Sequence, residues 1–156
     1  VVCDPNSAMI EYGKKKNEFA NKIKWINAPA ENLPFENEFF DAYLVSFGIR
    51  NFDDMKQSLN EAHRVLKVGG RFICLEFSKV QNKDLSKLYS LYSKIIPIFG
   101  KLIVGNEKPY QYLTETIERF PTQEKFKQII EQSNFSNVEF RNLFNGIVAI
   151  HSGWKE

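Results

Sequence analysis

Arg50 and Asn51 occupy an unusual place in the chain. The stretch "LVSFGIRNFDD" at 44–54 runs from apolar residues through Ser46, Phe47 and Gly48, then sets a cation and an amide where a buried strand should end. A guanidinium is costly to bury, and at a sheet tip it finds either a carboxylate or the oxyanion of a ligand. Pairing with Asp53 or Asp54 would meet the first need and a bound anion the second; the residues alone leave both open. Three more strand ends carry polar groups: Asp4 after "VVC", Ala28–Glu31 after "KWIN", and Glu76–Ser78 after "FICL". In open parallel sheets ligands bind beyond the carboxyl ends of the strands. A carboxylate such as Asp4 can accept from two neighbouring hydroxyls of a ribose, although an Asp before Pro-Asn-Ser is also a common turn former or helix cap. The "APAEN" loop offers small residues, Ala30 among them, for a flat ring and Glu31 for its edge, or else it is an ordinary turn. His63 lies on a helix flank and His151 in an alternating terminal strand, and neither reads as a base. The pattern points to a nucleotide-like ligand and leaves the reaction open.

These ends must be positioned by alternating elements. "VVCD" reads as a strand, "AMIEYGKKKNEFANK" as a helix capped from Asn6 or Ser7, and "IKWINA" (23–28) as a strand. "FDAYLVSF" (40–47) is a buried strand. "DDMKQSLNEAHRVLK" places Met55, Leu59, Ala62 and Leu66 on one helix face, "VGG" stops that helix, and "RFICLEFS" (71–78) is the next strand. Residues 82–134 read as helical, broken near Pro97–Gly100, Gly105–Pro109 and Pro121–Thr122. "NVEFRNLF" (137–144) and "GIVAIHSGW" (146–154) flank an Asn-Gly pair, a hairpin signal. This order predicts an α/β domain with a parallel sheet that ends in an antiparallel pair.

Composition narrows the classes. The 156 residues are 43% hydrophobic and 26% charged with a net charge of +2, so no strong field points to nucleic acid. The 14% aromatic share suits a Phe-rich core or the lining of a greasy ligand site. Cys3 and Cys74 fall in apolar runs and read as reduced, buried thiols, and two distant histidines argue against a zinc site. The chain opens on a strand without Met, as if something preceded it.

"RVLKVGGRFICLEFS" (64–78) resembles a diagnostic motif of the ubiquinone/menaquinone biosynthesis C-methyltransferases (UbiE-type), including its Glu-x-Ser ending at Glu76 and Ser78. "NLPFENEFFDAYLVSFGIRNF", "YQYLTETIERFP" and "FNGIVAIHSGWK" are similar to further stretches of that family. The resemblance implies a Rossmann-like class I methyltransferase sheet lacking its first, central strand, with a helical insert at 82–120 and a C-terminal antiparallel hairpin, all within one partial domain over 1–156. It implies S-adenosyl-L-methionine as cofactor and methylation of a ring carbon of a polyprenylated benzoquinol or naphthoquinol. Matched residue by residue, it assigns Asp4 to the ribose, Ala30 and Glu31 to the adenine side, Ser46 and Phe47 to the cofactor border, and Arg50 and Asn51 to catalysis beside the substrate. Tyr89, Tyr92, Tyr110 and Tyr112 are its candidates for the substrate lining.

The same resemblance implies an enzyme for the complete polypeptide and weak or no cofactor binding by this chain alone, because the family's glycine-rich loop is missing. Across the family's sheet the missing strand separates the one at Val1 from the one at Phe40. Those flanks should close on each other, be bridged by another chain, or leave 1–35 poorly anchored. A homodimer or a quinone-biosynthesis complex, and peripheral membrane contact, are the expected partnerships. A bacterial cytoplasm is the expected location, with the matrix face of the mitochondrial inner membrane as the alternative. Rival readings are a methyltransferase of the same fold with another acceptor and a catalytically dead scaffold.

Overall fold

The computed structural model describes residues 1–80 and 108–156. Tyr89 and Tyr92, most of the 82–120 insert and the side chain of Tyr110 lie outside the described residues. The first strand, β1 (Val2–Asp4), leads into helix α1 (Ser7–Lys16), whose start is capped by Asn6 Oδ1 accepting from the amides of Ala8 and Met9 at 2.9 and 3.3 Å. The helix was expected to run on to Lys22 but ends at Lys16. Asn17 turns extended and its side chain takes the Phe19 amide at 2.8 Å, which diverts the chain into a 3-10 turn at Ala20–Lys22. Strand β2 (Trp25–Asn27) then pairs parallel with β1, and the Trp25 ring lies so close to Gly13 that a Cβ there would meet it at 2.9 Å.

Strand β3 (Phe40–Ser46) is followed by a 3-10 turn at Ile49–Asn51 and by helix α2 (Met55–Val65). Asp54 caps this helix, accepting from the Gln57 amide at 2.9 Å, and Leu59, Ala62 and Val65 form its buried face. The "KVGG" stretch, expected as the stop of the helix, belongs to the next strand, β4 (Leu66–Phe77). Leu66 already pairs with Phe40, while Gly69 and Gly70 exchange backbone bonds of 2.7 and 3.0 Å with Lys155. Gly69 takes φ +78, and a Cβ on Gly70 would lie 2.7 Å from the Lys67 carbonyl, so the first glycine answers to backbone conformation and the second to crowding.

Helices α3 (Lys108–Arg119) and α4 (Gln123–Glu131) precede strands β5 (Ser136–Leu143) and β6 (Val148–Trp154). The hairpin forms, but Leu143 pairs with Val148, so its loop has four residues rather than Asn-Gly alone. Phe144, Asn145 and Gly146 all take positive φ (48, 57 and 92), a conformation tolerated best by the Asn and Gly. The main sheet runs β3-β4-β6-β5, parallel at its first pair and antiparallel thereafter, and its core gathers Leu59, Phe72, Phe126, Ile130 and Phe135.

β1 and β2 form a separate two-stranded sheet. Between β1 and β3 lies a cleft of about 380 Å³ lined by residues that include Val2, Cys3, Phe35, Phe40, Ala42 and Leu44. Leu44 is 71% exposed there. The flanking strands have therefore not closed on each other. Nor is the first third of the chain loose, because the loop after β2 is clamped to α2. Arg64 donates to the carbonyls of Leu33 and Phe35 (3.0 and 2.8 Å) and to Asn37 Oδ1, and Glu61 Oε2 accepts from the Leu33 amide at 2.8 Å. Arg64 and Glu61 also pair with each other at 2.7 Å.

Arg64→Ala is expected to cost about 1–3 kcal/mol and to speed amide exchange at Leu33 and in β1 and β2 while β4 and β6 stay protected. Arg64 holds the Glu61 carboxyl below its ordinary value of 4.5. The clamp's stability is thus fully present above that value and is lost as pH falls through the lowered one. Exchange measured across an acid titration should show β1 and β2 opening before the main sheet.

Candidate active site

The carboxyl ends of four strands gather along one rim. β1 and β2 are parallel, as are β3 and β4, and Asn27 Nδ2 ties the first two ends by donating to the carbonyls of Asp4 (3.0 Å) and Pro5 (2.9 Å). The two sheets meet through Glu31. Its Oε1 accepts from the Asp54 amide at 3.2 Å and its carbonyl from Gln57 Nε2 at 3.4 Å, so the loop holding Ala30 and Glu31 abuts the start of α2, just past the tip of β3. Asp4, Ala30, Glu31, Ser46, Phe47, Arg50 and Asn51 are in this way brought to the same side of the molecule. Asp4 also acts as the turn former, one carboxylate oxygen accepting the Asn6 amide at 2.7 Å.

At the β3 tip the backbone changes hand. The Phe47 amide continues the ladder to the Leu75 carbonyl at 2.8 Å, while its φ of +53 brings its ring to 4.8 Å from that of Phe77. Ile49 is buried and anchors the 3-10 turn that follows. Arg50 then folds back under the rim: Nη1 donates to Glu76 Oε1 at 2.9 Å and to the Phe47 carbonyl, and the guanidinium carbon stands 5.5 Å over the Phe77 ring. The pairing with Asp53 or Asp54 considered from the sequence does not occur, because Asp54 is committed to capping α2 and the acid on the neighbouring strand end is nearer to hand. The side chains of Arg50 and Glu76 are only 9% and 1% exposed. Burial pushes the Glu76 carboxyl above its ordinary value, against the opposing pull of the Phe77 amide and Arg50.

Asn51 faces outward, and its Oδ1 accepts from the Tyr112 hydroxyl at 2.9 Å. This bond latches α3 to the rim. Beyond β4, Lys79 Nζ donates to the carbonyls of Ile117 (2.7 Å) and Glu118 (2.6 Å), and Gln123 Nε2 donates to the Lys79 carbonyl at 2.8 Å. Tyr112 is thus the one proposed lining residue whose side chain the structure places at the rim. Glu76 was noticed in the sequence as a strand end and a signature residue, but its partnership with Arg50 was missed; Lys79 gave no signal at all. His151 is buried between Phe126 and Phe140, with Nε2 at 2.9 Å from the Gln123 carbonyl, and His63 packs edge-on to Phe135. Burial lowers both imidazoles and raises the thiols of Cys3 and Cys74.

The description of the ubiE/COQ5 methyltransferase family matches residues 1–155. The chain belongs to that family. Among its relatives is the human "2-methoxy-6-polyprenyl-1,4-benzoquinol methylase, mitochondrial", 52% identical over 159 residues that cover 99% of this chain and 49% of the human protein. The enzyme of the same name from Xenopus laevis is 49% identical, with 99% and 51% covered. The chain spans about half the length of the curated relatives it matches. These ubiE/COQ5 relatives are named as mitochondrial, which overturns the expectation of a bacterial cytoplasm. The fold is shared with a SAM-dependent methyltransferase of Thermotoga maritima (TM-score 0.70, 21% identity, 99% of this chain and 72% of that one). It is also shared with human N-acetylserotonin methyltransferase solved in complex with SAM (TM-score 0.63, 15% identity, 99% and 39% covered).

Tyr112→Phe is expected to lower stability by less than about 1 kcal/mol while raising amide exchange in the first turns of α3. Unchanged exchange would show that the latch does not hold the helix.

Proposed function

We propose that this chain belongs to an S-adenosyl-L-methionine-dependent C-methyltransferase acting on a polyprenylated benzoquinol in ubiquinone biosynthesis, and carries residues for both donor and acceptor. The observation that carries the reading is the Arg50 guanidinium, fixed at the rim beside the Phe47 and Phe77 rings and next to Asn51. Membership of the family and relatives named benzoquinol methylases support that acceptor over a naphthoquinol, and their mitochondrial names support a mitochondrial location. A lipid-soluble acceptor is consistent with peripheral contact with the inner membrane.

The residues present fit the adenosine part of the methyl donor. Asp4 ends β1 with a carboxylate for the ribose hydroxyls, and the loop of Ala30 and Glu31 stands beside it for the ring. Ser46 and Phe47 border the same edge. The donor supplies an electrophilic methyl group. The chain's own residues act on the acceptor: a quinol ring carbon becomes nucleophilic when a neighbouring hydroxyl loses its proton, and the oxyanion left behind needs oriented donors. Arg50 is far too basic to take that proton and serves to stabilise the phenolate, with Asn51 orienting it.

Among the described residues, the cleft between β1 and β3 leaves the adjacent strand edges unpaired. Titrating the chain with S-adenosyl-L-methionine by calorimetry should show a Kd weaker than about 100 µM; a micromolar value would refute this. In a complete enzyme carrying this sequence, Arg50→Ala is expected to lower kcat about 10²–10³-fold with little change in the donor KM. Equal losses in both would contradict its role, and methylation of a sterol or simple phenol in preference to a demethylated quinol would remove the proposed acceptor.

A further inference from the structure

The Glu-x-Ser ending of the "RVLKVGGRFICLEFS" motif has no role in the reading above, and Ser78 makes no side-chain hydrogen bond. Glu76 is different. It is a carboxyl 1% exposed on the penultimate residue of β4, just before the rim, and three N–H donors converge on it. Oε1 accepts from Arg50 Nη1 at 2.9 Å and from the Phe77 amide at 2.8 Å, while the Arg50 amide approaches Oε2 at 3.4 Å. The Phe77 bond fixes the carboxyl to its own strand, so the group is a rigid part of the sheet rather than a mobile counter-ion. Arg50 Nη1 has its two hydrogens directed to Glu76 and to the Phe47 carbonyl, and the face of the guanidinium rests on the Phe77 ring. Two fixed acceptors and one ring therefore define the plane and rotation of a group that otherwise turns freely about several bonds. Nε is left without a partner.

We propose that Glu76 is the positioning residue of this site: it holds one edge of the Arg50 guanidinium so that the donors it does not use keep a fixed direction toward the acceptor's oxygen. The inference rests on the reading of Arg50 given above and adds the group through which that reading works. Glu76 acts through Arg50 and need not touch the substrate. A carboxylate that served stability alone would give the same ion pair, so the test must read orientation and coupling as well as melting.

Two measurements separate these cases. In the chain itself, labelled with 15N, the Arg50 Nε–H signal is expected to exchange slowly with water, and Glu76→Gln should speed that exchange about tenfold at temperatures well below its own lowered Tm. In a complete enzyme carrying this sequence, Glu76→Gln should lower kcat about 10–100-fold and leave the donor KM within about twofold. Adding it to Arg50→Ala should cost less than about a further twofold. Should Glu76→Ala fail to fold, the near-isosteric Gln variant carries both measurements. Unchanged Arg50 exchange in Glu76→Gln, or the same fractional loss of kcat in the presence and absence of Arg50, overturns the proposal. An undiminished kcat in Arg50→Ala alone overturns the reading of Arg50 instead, and the exchange data, which do not depend on turnover, tell the two failures apart.

Discussion

A parallel pair of strands that ends in a sealed ion pair governs the geometry of the rim. Because β3 and β4 run in the same direction and in register from Ala42–Arg71 to Ser46–Leu75, the residues just beyond them arrive at one level. Arg50 and Glu76 are 26 positions apart in sequence and are brought to hydrogen-bond distance by that register together with the 3-10 turn that follows β3. Removing a charge of either sign from such a place leaves its partner buried and uncompensated, the costliest kind of polar defect. The pair therefore constrains sequence at both strand ends. It also constrains the backbone, since the left-handed Phe47 aims its carbonyl at the guanidinium and its ring at Phe77.

The second constraint acts between the two sheets. β1 and β2 are three residues each, too short for a stable unit on their own. What retains them is α1 behind them and the Glu61–Arg64 clamp on the loop that follows. Through Glu31 and Asp54 the same loop sets the distance from the Asp4 end of the rim to the Arg50 end. The split between β1 and β3 thus coexists with an ordered rim: the strand ends are registered through α2 and its cap, not through continuous sheet hydrogen bonding. Placement of Asp4 and Arg50 on one side therefore does not depend on a strand between β1 and β3.

Much of this was legible in the residues. β3 and β4 carry apolar runs and α2 a helical apolar face, and all three formed close to their expected places, although β3, expected to be buried, is exposed at Ala42 and Leu44 on the cleft side; the C-terminal pair was announced by its alternation. The strand order and the split came from the family resemblance rather than from periodicity. What failed were features set by single hydrogen bonds or by distant pairing. Nothing in "KKKNEF" disfavours a helix, so its end at Lys16 depends on which amide the Asn17 side chain finds. "KVGG" looks like a helix stop because its strand role is defined by Lys155, some ninety residues on. Arg50 was offered Asp53 and Asp54 because proximity in sequence is visible and registry across a sheet is not. The cap position of Asp54 could have removed one of them in advance.

The neutral character of the Arg50–Glu76 pair bears on the kind of assistance the rim can give. A lone buried guanidinium would attract any anion, but one paired at 2.9 Å with a carboxyl has little net charge to project. Its effect on an acceptor must then come from the direction of its remaining donors at short range. That suits a quinol, which approaches uncharged and develops negative charge only as its hydroxyl proton leaves. Long-range attraction would bring nothing to such an acceptor, and a chain of net charge +2 supplies little of it. Donors held in advance cost no reorganisation when the charge appears. On this argument the buried acid does not oppose the role proposed for Arg50: it exchanges field strength for direction, and direction is what the proposed, initially neutral acceptor would use.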